Sequence, residues 1–278
     1  MDTALRDRLV SLADTYETAE FLEKDPSCFM HRYSRTEDQE IVAFVAAALA
    51  FGRRDQIRSH VERILELAGT SPADWVGEGG WDRHFPDSPA SFYRTYSYGA
   101  MRALFATLRD ILRSQTLGEY FRGSYRESAG RADGVSCGGG SSRQRWHLCQ
   151  VIASCFPDSC TLIPRSLDCA FKKLNMFLRW MVRDSSPVDL GLWSSWYDKA
   201  DLLVPLDTHV MQEATRLGLL APSPGGKVRA ATLKCAVELT AAMGEAFPGD
   251  PTRGDYALFG LGVDTVRPVE ISPQQIFP

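Results

Sequence analysis

The chain has 278 residues, enough to bury a large core, and its 44% hydrophobic and 24% charged content is ordinary for a globular protein. A formal net charge of −4 excludes a global basic field, so any nucleic-acid surface must be a local patch. No segment is apolar for long enough to span a bilayer, and Met1-Asp2-Thr3-Ala4-Leu5-Arg6 has no signal-peptide core. Seven cysteines in such a chain fit reduced thiols, and the expectation is a cytoplasmic protein with no membrane partner.

In chain order, Leu5, Leu9, Leu12, Tyr16, Ala19 and Leu22 recur near the helical period and predict a helix over 5–22. An alanine-rich run predicts a second helix over 38–51, capped by Asp38 and ended by Gly52. A short Gly-Arg-Arg-Asp turn leads to a third, with Ile57, Val61, Ile64, Leu65 and Ala68 on one face and Gly69 closing it. Residues 70–98 are rich in Pro, Gly and aromatics and read as an irregular connection, before another helix over 100–112. Residues 128–145 carry Gly130, Gly134 and Gly138-Gly139-Gly140 among serines, a composition that predicts a mobile loop. The span 171–182 is apolar on nearly all sides, as in a central helix. A loop with Pro187, Gly191, Trp193 and Trp196 follows, then helices over 207–217, ended by Gly218, and over 228–246. A last short helix begins at Asp255. Strand signals are few, so the fold class is all-α, and 1–278 reads as a single unit.

Two segments carry chemistry: Lys172-Lys173 on the apolar central helix, and Leu206-Asp207-Thr208-His209-Val210 at a helix start. A lysine attacks carbon only as a free amine, so burial or a cationic neighbour must lower its pKa. A carboxylate at a helix opening can stabilise an oxocarbenium-like transition state, and Asp207 is equally an ordinary N-cap. The two roles can coexist. Paired lysines also read as solvated charge, and His209 reads as a hydrogen-bonding structural residue. Between Thr161 and Arg183 the cations Arg165, Lys172, Lys173, Arg179 and Arg183 face one acid, Asp168. With Arg53, Arg54 and Arg58 they can form a phosphate-tracking stripe, or Arg179 and Arg183 can pair internally with Asp184 or Asp189. Cys149, Cys155, Cys160 and Cys169 have no zinc or iron–sulfur spacing, and no Gly-rich phosphate loop occurs, so no metal and no cofactor are expected.

Asp207-Thr208-His209-Val210 followed by Arg216-Leu217-Gly218, downstream of Phe171-Lys172-Lys173 and Phe177-Leu178-Arg179, resembles the helix-hairpin-helix (HhH-GPD) DNA glycosylase superfamily. Endonuclease III and the archaeal 8-oxoguanine glycosylases are members of it. The run from Leu174 to Arg183 is similar to an uncharacterised bacterial family related to these enzymes, over most of the chain. The resemblance implies a two-lobed helical architecture with a cleft, the middle lobe spanning 35–183 and the second combining 1–34 with 184–278. It implies a base-excision glycosylase acting on damaged double-stranded DNA, an oxidised purine being the first lesion to consider, with AP lyase activity through a Schiff base. The interval to Phe177-Leu178-Arg179 selects Lys172 as nucleophile and leaves Lys173 as the alternate, with Asp207 as carboxylate partner.

The turn from Ala50 to Asp55, with Arg53 and Arg54, takes the place of a loop pressed into DNA. The hairpin place, Arg165 to Phe171, has no glycine, so phosphate contact falls to Arg165 or Ser166, with Arg179 in the same patch. Trp193 and Trp196 form either a base-stacking wall or core. No cysteine follows Cys235, so the endonuclease III iron–sulfur cluster has no ligands here. Two other readings remain: a non-catalytic nucleic-acid-binding protein on the same scaffold, and a helical interaction protein with no nucleic-acid role.

Overall fold

A computed structural model of the chain describes residues 1–133 and 146–266. Over these residues the protein is predominantly helical: α1 (Thr3–Tyr16), α2 (Thr36–Ala48), α3 (Arg54–Ala68), α4 (Pro72–Gly77), α5 (Tyr98–Leu112) and α6 (Leu117–Asp133) are followed by α7 (Leu148–Ser154), α8 (Lys172–Val182), α9 (Thr208–Arg216), α10 (Leu233–Ala246) and α11 (Gly254–Val266). A two-stranded antiparallel hairpin, β1 (Ser91–Tyr93) and β2 (Tyr96–Ser97), lies between α4 and α5. Among the described residues no helix is long and apolar enough to cross a membrane.

The centre of the molecule is α2 packed on α8. Residues Ile41 to Leu49 are all buried, so α2 has no solvent face after its first turn. From α8, Phe177 meets Phe44 edge-on at 5.0 Å and Trp193 at 5.2 Å, and Phe44 stacks on Phe156 at 5.3 Å. Helices α2 to α8 pack on one another and, through α2 and α3, on the segment Pro26–Arg32, whereas α1 packs on α10 and α11 and α9 on α11, with α1 against α11 the most extensive.

Several elements differ from their sequence reading for identifiable reasons. The first helix stops at Tyr16, and residues 17–32 instead contain two short 3-10 helices, Ala19–Glu23 and Pro26–Arg32. Proline fits the first turn of the second of these because it needs no backbone donor there. Helix α2 ends at Ala48, and the next residues tighten into a turn in which the Phe51 amide donates to Leu49 O at 2.7 Å. The region over 70–98 contains α4 and the hairpin as well as irregular chain. Residues 128–133 complete α6 rather than opening a loop, and 134–145 lie outside the described residues. Helix α10 begins at Leu233 because Thr232 pairs with Cys169 across an isolated bridge and caps the Cys235 amide at 3.2 Å.

Candidate active site

Lys172 and Lys173 open α8 immediately after Phe171, whose φ of 48° places it in the left-handed region. Neighbours on a helix lie about 100° apart around its axis, so the two side chains diverge. Lys173 turns inward. Its ammonium donates to Ala48 O at 3.0 Å, to the Tyr96 hydroxyl at 3.0 Å and to Leu162 O, and it sits 4.8 Å from the centre of the Tyr96 ring. Burial, helped by the charge of Lys172, pulls it down to about 8. Lys172 turns the other way, into a cavity of about 400 Å³ lined from α8, α9, α11, the α2–α3 turn and the segment around Asp25.

Across that cavity Asp207 caps α9. Its Oδ1 accepts from the Val210 amide at 2.9 Å, and its Oδ2 lies 3.1 Å from Lys172 Nζ. The two side chains are 38% and 37% exposed, so the pair is reachable by solvent and by a ligand. Burial pushes the Asp207 carboxyl up, but the Lys172 charge and the Val210 amide outweigh it and hold the group below its ordinary value. The N-cap and the lysine pairing therefore belong to one residue, one oxygen for each.

A second carboxylate lines the same cavity. Asp255, in the first turn of α11, is ion-paired to Arg179. Burial pushes it up to about 6 against the opposing charge of Arg179, and the negative charge of Asp207 adds to the rise. Arg179 is 4% exposed, is also ion-paired to Asp189, and stacks 4.4 Å from the Tyr256 ring centre. Although it forms part of the cavity lining, its charge is paired with the internal acids Asp189 and Asp255 rather than left free on the surface stripe expected from the sequence.

The other expected contact residues are scattered. Arg54 is exposed, lines the cavity and lies 4.6 Å over the Phe259 ring. Arg53 is exposed beside it and pairs locally with Asp55 at 2.7 Å. Arg165 pairs with Asp158 on a separate depression, next to exposed Ser166. Trp193 is 1% exposed and donates to Glu40 at 2.7 Å, so it belongs to the core. Trp196 packs against it at 5.3 Å and does not line the cavity. His209 lines the cavity from an exposed position. The sequence marks Asp255 as a helix start but not as a site residue, and it gives no role to the exposed Phe51 with Arg94 stacked 4.7 Å above its ring. Among the described residues no group of three or more His, Cys, Asp or Glu side chains is placed to hold a metal ion.

These features define a helical protein with a lysine–carboxylate pair inside a cavity. The family model DUF2400, described as a protein of unknown function, matches residues 25–264, and the chain belongs to that family. No curated protein and no solved structure matches it. This overturns the kinship expected with the helix-hairpin-helix glycosylase superfamily, because the match is to DUF2400 and no glycosylase family is matched. Short segments around a helix cap and a lysine helix recur in unrelated helical proteins, since capping and apolar periodicity alone produce them.

Proposed function

We propose that the protein is a DNA base-excision enzyme of the cytoplasm in which Lys172 attacks the sugar carbon of a damaged nucleotide. Asp207 is the carboxylate partner. The observation that carries the reading is the 3.1 Å approach of Lys172 Nζ to Asp207 Oδ2 in a cavity sized for a small ligand. Of the two lysines, only Lys172 lines this space.

The chemistry follows from the pair. The Lys172 nitrogen forms the bond to C1′ as the bond to the base breaks, and the adjacent Asp207 carboxylate stabilises the oxocarbenium character between those events. Asp207 is held in place by the first turn of α9, so little reorganisation is needed. Exposed Arg53 and Arg54 on the α2–α3 turn supply phosphate contacts beside the cavity, and the damaged nucleotide reaches it by leaving the stack. The packing of α2–α8 on one another, and of α1 with α10 and α11 and of α9 with α11, supports a cleft between a middle lobe and one built from both ends of the chain, with Pro26–Arg32 packed on the middle lobe.

Borohydride trapping on duplexes bearing oxidised or deaminated bases, or an abasic site, tests the reading. A covalent complex is expected with the wild type and with Lys173→Met, and at least a hundredfold less with Lys172→Ala. A complex that persists in Lys172→Ala, or no complex on any duplex, would overturn it.

A further inference from the structure

The cavity holds two carboxylates where amine attack alone requires one. Asp255 faces the space shared with Lys172, and its pairing to Arg179 fixes its position. Arg179 is itself held by Asp189 and by the Tyr256 ring, so the carboxyl is positioned through a rigid chain of contacts. The charged groups around it are Lys172 and Arg179 from α8, Asp207 and His209 from α9, Arg54 from α3 and Asp25 from the segment before α2. Asp207 is held ionised by Lys172 while Asp255 is raised to about 6, so one cavity presents a carboxylate and a more readily protonated acid. Environments that push two carboxyls apart in this way assign them different proton roles.

We infer that Asp255 is the general acid of the site, delivering a proton to the leaving base as Lys172 forms its bond to C1′. This rests on the function proposed above. In that step the Lys172 amine gives its electron pair to C1′, the C1′–base bond breaks with its pair going to the base, and the base takes the Asp255 proton. The products are a substituted ammonium on Lys172, a neutral free base and ionised Asp255, so charge balances. Opening of the sugar moves an ammonium proton to the ring oxygen and leaves an iminium. Water hydrolyses the iminium and releases Lys172 as an ammonium that gives its proton to solvent, while ionised Asp255 takes a proton from solvent, and the site is reset.

An abasic site separates the two proposals, because its aldehyde forms an imine with Lys172 without any base to protonate. Asp255→Asn is expected to trap on abasic DNA within about threefold of the wild type while excising an intact damaged base about 10²–10⁴-fold more slowly. Asp255→Glu, which restores a carboxylic acid, is expected to recover part of that rate. In the wild type, single-turnover excision should fall above about pH 6 with a limb that abasic trapping lacks. Excision by Asp255→Asn at the wild-type rate, or a wild-type excision rate flat through that pH range, would overturn the role of Asp255. Should Asp255→Asn fail to fold, the wild-type pH comparison decides alone. Failure of the wild type to trap on abasic DNA would instead overturn the function of Lys172.

Discussion

Lys173 points its ammonium at two carbonyls and a phenol, and none of these carries a charge to offset its burial. Its folded-state value near 8 lies below the unfolded value of 10.5, so between those pH values the unfolded chain binds the extra proton. Stability from this group therefore rises as pH rises from 8 to 10.5, by about 2–3 kcal/mol. Lys173→Met lacks this titration, so the stability gap between variant and wild type should move in favour of the wild type across that window. Urea unfolding at a series of pH values checks it, and a gap independent of pH would refute the assignment. Composition and periodicity show two adjacent lysines without dividing them, because the division depends on how α8 is rotated against α2, and only the resemblance puts Lys172 first and Lys173 second. Asp255 was equally hidden. In sequence it is an ordinary acid in a first helical turn, and only the docking of α11 brings it to Lys172.

At the scale of the elements, α3, α5 and α9 were legible because each buries one stripe, and Gly69 and Gly218 mark stops where φ is +69° and +73°. The hairpin was not legible. Its strands are three and two residues long, and Arg94, at φ 51°, occupies a conformation usually signalled by glycine. Helix α6 was missed because its start is fixed from outside. Glu40 on α2 accepts from the Gly118 amide at 3.1 Å and from Trp193, and burial pushes it up to about 7. A Cβ at Gly118 would lie 2.6 Å from Trp193 Nε1 and 2.7 Å from Glu40 Oε1. Gly118→Ala should therefore destabilise the protein by about 1–3 kcal/mol, despite its better helix propensity. Thermal or urea denaturation measures the sign, and a stabilised variant would show that this junction is loosely packed.

Across the whole molecule, Arg183 at 3% exposure joins Glu17 at 2.8 Å, Asp189 at 2.5 Å and Asp250 at 2.8 Å. These acids follow α1, follow α8 and precede α11, so one guanidinium ties together chain segments far apart in sequence. Arg183→Met takes the guanidinium from Asp250 and leaves Glu17 and Asp189 with one arginine each, Arg253 and Arg179, so it should cost about 3 kcal/mol, whereas removing an exposed pair such as Arg53–Asp55 should cost at most about 1 kcal/mol. Equal losses in the two variants, measured by urea unfolding, would contradict this difference. The sequence had left Arg179 and Arg183 between phosphate contact and internal pairing. Burial settles both as internal, because a desolvated guanidinium needs acids close by.

The packing of α1 on α11 also has a temporal side. Tyr16 meets Phe259 at 5.7 Å and lies where a side chain on Gly260 would have to go. During synthesis α1 leaves the ribosome long before its partner exists, and Lys172 and Asp207 emerge well before Asp255. The cavity wall is completed only when α11 docks. A chain arrested before that point would expose the apolar face of α1 and hold an unfinished site, so contacts of long sequence separation set when the protein becomes competent.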